Sequence, residues 1–421
     1  MSRPASASWR AILREASARL REGYPYGDPM YAGQMQKPPH PIARLAYALA
    51  MRVNPNNHSL DGGRASSAME KEAVASIAAM LGLERALGHL TGGGTLANLE
   101  ALWIARELKP GLAVAASRQA HYTHTRLSAV LGMPFRGIAA DARGRMDLAA
   151  LAAALEAGGI GTVVATLGTT PAGAVDPLPG IAELCRRHGA RLHVDAAYGG
   201  YFTLAGNLGA EARRAFDTIP LADSVVIDPH KHGLQPYGCG CIVFADPAVG
   251  RFYKHDSPYT YFSSSDLHLG EISLECSRPG AAAVALWATM RLLPLVRGGS
   301  FAEGLESGRE AALALHAAVA ADPRFVPLFP PELDIVVWAA RAPSASASSA
   351  LARRIFEAAA GRGLHLALAA FPREMAEPAE PVQTWDEPEL LCLRSCLMKP
   401  EHRAAIPEIV SRLDAAAADC R

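Results

Sequence analysis

Short runs of apolar, often β-branched residues alternate with alanine-rich stretches over the middle of the chain. Four of the runs predict buried strands, at residues 162–167, 191–194, 224–227 and 241–244. Two of the stretches between them predict helices, at residues 179–188 and 205–216. Because a parallel strand needs a long crossover from its neighbour, strands joined by helices at this spacing predict a largely parallel sheet.

A second, smaller α/β unit is predicted beyond a helix at residues 280–293, which Pro294 ends. Its helices are predicted at residues 300–321, at 350–360 and from 401 onward. Its strands are predicted at residues 335–338, 364–368 and 390–396. Residues 341–349 are rich in serine and alanine and predict a loop.

Prolines interrupt the first 60 residues, including those at positions 25, 29, 38, 39 and 41. Because proline inside a helix removes a hydrogen bond and clashes with the preceding turn, this segment is predicted to be irregular. We interpret it as an arm that lies on another surface, such as a partner subunit. The chain then divides into an N-terminal arm (1–60), a large domain (61–297) and a small C-terminal domain (298–421).

Composition narrows the class of protein. The 421 residues include 41 lysines or arginines and 41 aspartates or glutamates, and 50% of them are hydrophobic. This balance argues against nucleic acid or an anionic membrane as a partner. No apolar run reaches the roughly 20 residues that cross a bilayer, so a cytoplasmic protein is expected.

The seven cysteines do not indicate a disulfide framework, because their number is odd and the chain is long. Cys239 and Cys241 are separated by one residue, but no second group of ligands lies near them in the sequence. No metal site is therefore expected. We interpret both as small buried side chains.

Three glycines, Gly92 to Gly94, precede Thr95 and a helical run at residues 100–108. Glycines let backbone amides approach an oxyanion, and a helix N-terminus adds free N–H groups and a favourable dipole. The pattern predicts a phosphate-binding turn, although no Gly-Lys-Ser/Thr of a P-loop follows. A tight turn without a ligand is the alternative.

Asp195 follows an apolar strand directly, where parallel strands place groups that contact ligands. A carboxylate buried there needs a cation, and the protonated ring nitrogen of pyridoxal 5′-phosphate (PLP) is one. Ala197 leaves room for a ring, and His121 could lie flat on it. The alternatives are that Asp195 caps the following turn and that His121 is structural.

Another apolar strand ends in Asp228-Pro229-His230-Lys231-His232. Lysine is rare at a buried strand end without a partner, and a desolvated amine suits a Schiff base with an aldehyde. The alternative is that the strand has reached the surface and Lys231 lies in water. A phosphate turn, a stacking ring, a carboxylate and this amine are together what PLP requires.

The segments resemble those of the group II PLP-dependent amino-acid decarboxylases, which include tyrosine, aromatic-amino-acid and glutamate decarboxylases. Residues 228–231 and 193–198, Asp-Pro-His-Lys and His-Val-Asp-Ala-Ala-Tyr, are highly specific to that family. The resemblance runs from about residue 54 to residue 293, and more weakly to the C-terminus. Asp228 and residues 275–280 look closer to the bacterial and archaeal tyrosine decarboxylase branch than to the animal enzymes.

The resemblance implies an α/β protein of the aspartate-aminotransferase type (fold type I). Such a protein has a large domain with a mostly parallel, seven-stranded sheet and a small C-terminal α/β domain. It also implies a homodimer whose subunits share their active sites. The N-terminal segment is shorter here than is usual in the family, so substrate contacts from that segment cannot be transferred.

The resemblance also implies residue roles. Lys231 carries PLP as a Schiff base, Asp195 pairs with the ring nitrogen, His121 stacks on the ring and Ala197 packs beneath it. Thr169 or Thr170 approaches the ring or the substrate. Gly94, Thr95, Asp228 and His230 are implied to contact the phosphate bound in the same subunit. Ser277 and Gly280 are implied to reach the phosphate bound in the partner subunit.

The implied reaction is decarboxylation of an L-amino acid to an amine and carbon dioxide, and the branch favours an aromatic, tyrosine-like substrate. In this family a loop tyrosine returns a proton to Cα; Tyr259 is the first candidate here and Tyr261 the second. Arg394, on the last predicted strand, either binds a substrate carboxylate or lies on an exposed strand face.

Other functions stay open on the same residues. They are aldehyde synthesis, transamination or carbon–carbon lyase action with PLP, decarboxylation of aspartate or glutamate, and PLP binding without catalysis. A nucleotide-binding α/β module would need a Gly-x-Gly-x-x-Gly with a downstream acidic residue, which the sequence does not contain.

Overall fold

The computed structural model of the chain describes residues 8–58, 60–254 and 273–420. Seven strands form its larger sheet: β1 (Leu87–Thr91), β2 (Ala113–Ser117), β3 (Phe135–Ile138), β4 (Ile160–Thr166), β5 (Arg191–Asp195), β6 (Ser224–Ile227) and β7 (Gly240–Phe244). Their order is β1-β7-β6-β5-β4-β2-β3, and β7 alone runs against the others. The predicted fold class is confirmed.

Helices connect and cover these strands. Their bounds are α1 (Trp9–Leu20), α2 (Pro41–Met51), α3 (Leu60–Met80), α4 (Gly94–Leu108), α5 (Thr123–Val130), α6 (Leu148–Glu156), α7 (Leu178–His188), α8 (Ala210–Asp217) and α9 (Gly280–Leu292). α4 packs against β5, β6 and β7, and α7 packs against β4 and β5. The central strands are therefore buried on both faces, which explains their nearly continuous apolar sequences.

The C-terminal part of the chain builds a second sheet. Its elements are α10 (Ser300–Ala321), β8 (Phe325–Pro327), β9 (Ile335–Ala340), β10 (Ala342–Ser344), α11 (Ala345–Gly361), β11 (Ala367–Pro372), α12 (Arg373–Ala376), β12 (Val382–Thr384), β13 (Glu389–Cys396) and α13 (His402–Ala418). Four strands pair antiparallel in the order β11-β13-β9-β8, and β10 pairs with β12. Trp338 is fully buried between this sheet and its helices.

The prediction that the first 60 residues are irregular is wrong, because α1 and α2 form there. Pro41 is the first residue of α2, a position where the missing N–H group has no partner to lose. Several of the other prolines lie between the two helices. The division of the chain at residues 60 and 297 stays a prediction.

Two other predictions need correction. Residues 341–349 are not a loop, because β10 and the start of α11 occupy them, and the Ser344 side chain accepts a hydrogen bond from Ala347 N, 3.3 Å away. Serine here caps a helix. The helix predicted at 205–216 begins only at Ala210, and the strand predicted at 364–368 begins only at Ala367.

Within the described ranges, no helix is long and apolar enough to cross a membrane. Cys239 and Cys241 are both buried, as predicted.

β7 approaches the glycine turn so closely that Gly240 has no room for a side chain. A Cβ atom there would lie 2.5 Å from the backbone carbon of Gly93. We therefore expect Gly240→Ala to lower the free energy of unfolding by about 1–3 kcal/mol, measured by chemical denaturation. Gly209→Ala is the matched control, because nothing lies within 4 Å of its added Cβ. Equal stability of the two variants would contradict the close approach.

Candidate active site

Loops that follow five strands of the larger sheet enclose a cleft of about 660 Å³. The strands are β1, β2, β4, β5 and β6, which run in the same direction, so their carboxyl ends lie along one edge of the sheet. The predicted site residues that line this cleft are Gly94, Thr95, His121, Thr170, Asp195, Ala197, Asp228, His230 and Lys231.

Asp195 ends β5 and is 5% exposed. Its Oδ2 atom lies 2.8 Å from His124 Nε2 and accepts a hydrogen bond from Asn98 Nδ2 at 3.3 Å, while Oδ1 accepts one from Ala197 N at 3.1 Å. Burial raises the pKa of Asp195, but the hydrogen bond from His124 and the charges of His124 and Lys231 outweigh burial and hold that pKa well below its ordinary value. The carboxylate is therefore ionised, and it also caps the following turn.

A buried polar chain continues behind Asp195. His193 Nε2 lies 2.8 Å from Asn98 Oδ1, and His193 Nδ1 lies 2.9 Å from Ser224 Oγ. Burial lowers the pKa of His193 to about 3, so this ring is neutral. Since the Asn98 oxygen only accepts, His193 donates through Nε2, and the Asn98 amide is left to donate to Asp195.

Lys231 lies across the cleft in the turn that follows β6. Its Nζ atom is 3.2 Å from Asp228 Oδ2, and its side chain is 23% exposed. Asp228 is buried, and its Oδ1 atom has no hydrogen-bond partner in the part of the chain that is described. Lys231 faces the cleft, so the alternative that the strand end has reached open water does not hold.

The two cleft histidines are held mainly by backbone atoms. His230 Nδ1 donates to the carbonyl of Cys239 at 2.8 Å, and His121 Nδ1 accepts from Thr123 N at 3.2 Å. Burial lowers the pKa of both rings, against the opposing effect of nearby carboxylates. Both imidazoles are therefore neutral near pH 7.

The glycine turn is built as the sequence predicts, with one difference. A Cβ atom at Gly94 would lie 2.7 Å from Asp228 Oδ2, so only glycine fits there. The first turn of α4 leaves N–H groups without partners inside the helix, which suits a phosphate. However, Gly92 N already donates to Glu275 Oε2 at 3.0 Å, so one amide of the turn is occupied by a carboxylate of the same chain.

Several predicted residues lie outside the cleft. Ser277 accepts a hydrogen bond from Asn56 Nδ2, and Gly280 begins α9 with its N–H bonded to the carbonyl of Pro55. Thr169 is buried, and its hydroxyl accepts from Ala174 N. The loop candidates Tyr259 and Tyr261 lie outside the described residues.

Arg394 is buried on β13, so the alternative of an exposed strand face is wrong. Its guanidinium donates to the backbone carbonyls of Thr170, Pro171 and Gly33 at 2.7, 2.9 and 3.2 Å. It therefore fixes the loop that carries Thr170 into the cleft. A contact with a substrate carboxylate stays a prediction.

Sequence reasoning missed three residues that the structure brings to the site: Asn98, His124 and Glu275. Asn98 and His124 lie on α4 and α5, and each is turned towards Asp195 by the packing of its helix. The available signal in the sequence was a polar residue in the first two turns of each of these helices. Nothing in the sequence around Glu275 indicates its contact with Gly92.

A buried ionised carboxylate and a lysine line the same cleft at the ends of parallel strands, an arrangement that could hold a cationic ring and react with a carbonyl group. The model of the pyridoxal-dependent decarboxylase conserved domain matches residues 100–341. The chain belongs to this family, and it is a PLP-dependent carboxy-lyase that acts on an amino acid.

Two archaeal relatives show the same relationship. The probable L-tyrosine/L-aspartate decarboxylase of Methanothermobacter thermautotrophicus is 30% identical over 62% of this chain and 70% of that protein. The L-aspartate decarboxylase of Thermococcus kodakarensis is 31% identical over 68% of this chain and 74% of that protein.

The fold is shared with solved structures at lower identity. The crystal structure of Oryza sativa TDC with PLP and tryptamine superposes with a TM-score of 0.84 and 22% identity, covering 98% of this chain and 89% of that one. The crystal structure of mouse CSAD in its apo form superposes with a TM-score of 0.84 and 22% identity, covering 99% of this chain and 90% of that one.

The residues in the cleft fit PLP. The Oδ1 atom of buried Asp228, which has no partner among the described residues, can accept a hydrogen bond from a donor group of the cofactor. The cleft extends to the N-terminus of α4, where Gly93, Gly94 and Thr95 line it, and Asp195 supplies a fixed negative charge for a ring cation.

Asp195→Asn tests this electrostatic role. A neutral amide cannot hold a proton on the ring nitrogen, so we expect weaker cofactor retention and a rate reduced by roughly a hundredfold or more, measured by cofactor absorbance and amine formation. Asp246→Asn is the matched control. Asp246 accepts a hydrogen bond from Ala248 N, two residues further along, as Asp195 does from Ala197 N, but Asp246 lies outside the site. Full activity of Asp195→Asn with stoichiometric cofactor would remove Asp195 from the mechanism.

Proposed function

We propose that Lys231 carries PLP and that the enzyme decarboxylates an aromatic, tyrosine-like L-amino acid. The observation that carries this proposal is that Lys231 and ionised Asp195 line the same cleft, with His121 and Ala197. His121, Asp195 and Ala197 would surround a ring bonded to Lys231 within this cleft.

The residues divide the work between them. Bound PLP supplies an electron sink for the carbanion that remains when carbon dioxide leaves. Asp195 holds the proton on the ring nitrogen, and His124 and Asn98 keep Asp195 charged and in place. His121, neutral and partly buried, offers a flat face to the ring. The return of a proton to Cα by Tyr259 or Tyr261 stays a prediction from the sequence.

Lys231→Ala is the direct test of the cofactor lysine. The variant is expected to lose the Schiff-base absorption band and essentially all amine formation, because no other lysine lines the described cleft. Borohydride reduction of the unmodified enzyme should leave a pyridoxyl mass on the peptide that contains Lys231. Lys71→Ala, at an exposed position on α3, is the control and should keep both. A Schiff-base band in Lys231→Ala would show that another amine carries the cofactor.

The proposal of an aromatic substrate rests on the cleft lining, which includes Leu96, Leu99 and the largely exposed ring of Tyr122. No arginine lines the described part of the cleft to bind a side-chain carboxylate. L-Aspartate is the second candidate, because both archaeal relatives carry it in their names.

Release of carbon dioxide from L-tyrosine, L-tryptophan, L-aspartate and L-glutamate decides between the candidates. We expect kcat/KM for L-tyrosine to exceed that for L-aspartate by about tenfold or more, since no arginine in the described lining can pair a second carboxylate. A higher value for L-aspartate would make aspartate the substrate. Release of aldehyde and ammonia with oxygen uptake would indicate the alternative aldehyde synthesis.

A homodimer is part of the proposal. α1 buries none of its residues within the chain and exposes Trp9, Ile12, Leu13 and Leu20. α2 packs on α9, the helix that begins at Gly280, and exposes Leu45 and Leu49. Exposed apolar faces of this size mark partner surfaces, and these adjoin the segment that we expect to reach the partner's cofactor. The cytoplasmic location stays a prediction from composition.

The variant Leu45→Glu/Leu49→Glu tests the dimer. Two charges on the proposed interface are expected to shift the particle towards the 44.4 kDa chain mass in light scattering and to reduce activity with it. Leu221→Glu, at a residue 69% exposed elsewhere, is the control and should leave the dimer intact. An active monomer of the unmodified protein would contradict shared active sites.

A further inference from the structure

A second cavity, of about 510 Å³, lies between the segment before α2, the start of α10 and the turn after β13. It shares no lining residue with the active-site cleft. Its charged lining side chains are the cations Lys37, Arg44 and Lys399 and the exposed acid Glu401, together with two imidazoles, His40 and His232. The cavity is therefore strongly cationic, although the chain as a whole has no net charge.

The two lysines have only carbonyl partners. Lys399 is 4% exposed; its Nζ donates to the carbonyl of Tyr31 at 2.6 Å and lies 5.3 Å from the centre of the Tyr31 ring. Lys37, partly buried, donates to the carbonyl of Met398 at 3.3 Å. Neither amine is ion-paired with a carboxylate of the described chain. An ammonium has three donors, so each keeps unused N–H groups.

The nearby carboxylates do not neutralise these amines. Asp334 is bonded to His232 Nε2 at 2.8 Å and to the hydroxyl of Tyr198 at 2.6 Å. Glu401 lies at the exposed rim and forms no ion pair with either lysine. Burial lowers the pKa of Lys37 and of Lys399 to about 8. The charges of Asp334 and Glu401 on Lys37, and of Glu401 and Asp28 on Lys399, offset only part of this effect.

The rest of the wall fits an organic anion. Ser300 and Phe301, the first residues of the 22-residue helix α10, line the cavity, and the N-cap Gly299 makes no side-chain bond to the helix. Free N–H groups and the positive end of the helix dipole therefore face the same space as the lysines. The apolar part of the wall is formed by Pro38, Pro39, Leu234, Leu293, Phe301 and Leu305.

We propose that this cavity is a binding site for a small organic anion, in which Lys37, Lys399 and the N-terminus of α10 hold a carboxylate or phosphate group and the apolar wall holds its body. The cavity volume is within the range of small-molecule sites, about 300–1,000 Å³. The site is separate from catalysis, so it stands whether or not the proposed substrate is correct.

Calorimetric titration of the PLP-loaded enzyme with benzoate, phenyl phosphate and neutral benzyl alcohol tests the site. At least one of the two anions is expected to bind about tenfold or more tightly than the alcohol, and the preferred one identifies the anionic group. Lys37→Gln and Lys399→Gln should each weaken anion binding by about tenfold or more, whereas Lys71→Gln, on the exposed face of α3, should not.

The outcomes are separable. Failure of both anions to bind, or equal binding by the lysine variants, overturns the proposal; in the second case the anion occupies another site, such as the catalytic cleft. If a buried-lysine variant does not fold by circular dichroism, Arg44→Ala decides, because Arg44 is exposed and lines the same cavity. Unchanged binding in Arg44→Ala, with no folded lysine variant, counts against the site.

Proton uptake on binding gives a second measurement that tests the amines of Lys37 and Lys399. A bound anion favours the charged lysines and raises their pKa, so near pH 9 binding takes up protons. The other charged or titratable side chains near the two amines include Arg44, His40, His232, Glu401, Asp334, Asp28 and Tyr31. Lysines whose pKa is lowered to about 8 are the groups on which this signal depends. Heats measured in two buffers of different ionisation enthalpy should differ near pH 9. Equal heats would show that the lysines do not hold the anion.

Discussion

The negative charge on Asp195 is the constraint on which the arrangement of the site depends. A carboxylate that is 5% exposed is costly to bury unless its charge is met by donors, and here His124, Asn98 and the N–H of Ala197 meet it. These partners come from α5, from α4 and from the turn after β5. The charge therefore fixes how both helices pack on the sheet, and His193 extends the constraint because it orients Asn98. Two residues apart on β5, His193 and Asp195 face the same side.

A buried ion pair links the end of β1, next to the glycine turn, to the segment from Ser277 to Gly280. Arg278 and Glu70 form an ion pair at 2.6 Å, and Glu70 also accepts from Leu90 N, one residue before the end of β1. The Arg278 guanidinium donates to the carbonyl of Leu90 as well. Because removing one partner of a buried pair leaves an uncompensated charge, the glycine turn cannot move independently of the segment from Ser277 to Gly280. This coupling joins the glycine turn physically to the segment that adjoins the proposed dimer surface.

Sequence reasoning succeeded where one local rule decides the structure. The strand at 224–227 was predicted with its observed bounds, since an apolar run between Asp223 and Asp228 has both ends marked. Nine of the predicted site residues line one cleft, because the segments that follow parallel strands meet at one edge of the sheet. Sequence reasoning failed where a residue has two possible roles. Pro41 was taken to break a helix and starts one, and Ser344 was taken for a loop and caps one. Asn98, His124 and Glu275 were missed because their partners are distant in sequence.

The turn after β6 shows why neighbours in sequence need not share a function. Lys231 points into the catalytic cleft, whereas the ring of His232, next to it in the chain, is held by the carbonyl of Tyr198 and by Asp334 and borders the second cavity. Tyr198, Asp334 and His232 thus form a buried polar wall between the two spaces. Since both Asp334 oxygens are engaged within that wall, the carboxylate is not free to move towards Lys37 or Lys399. The cationic charge of the second cavity is therefore left for a ligand to neutralise.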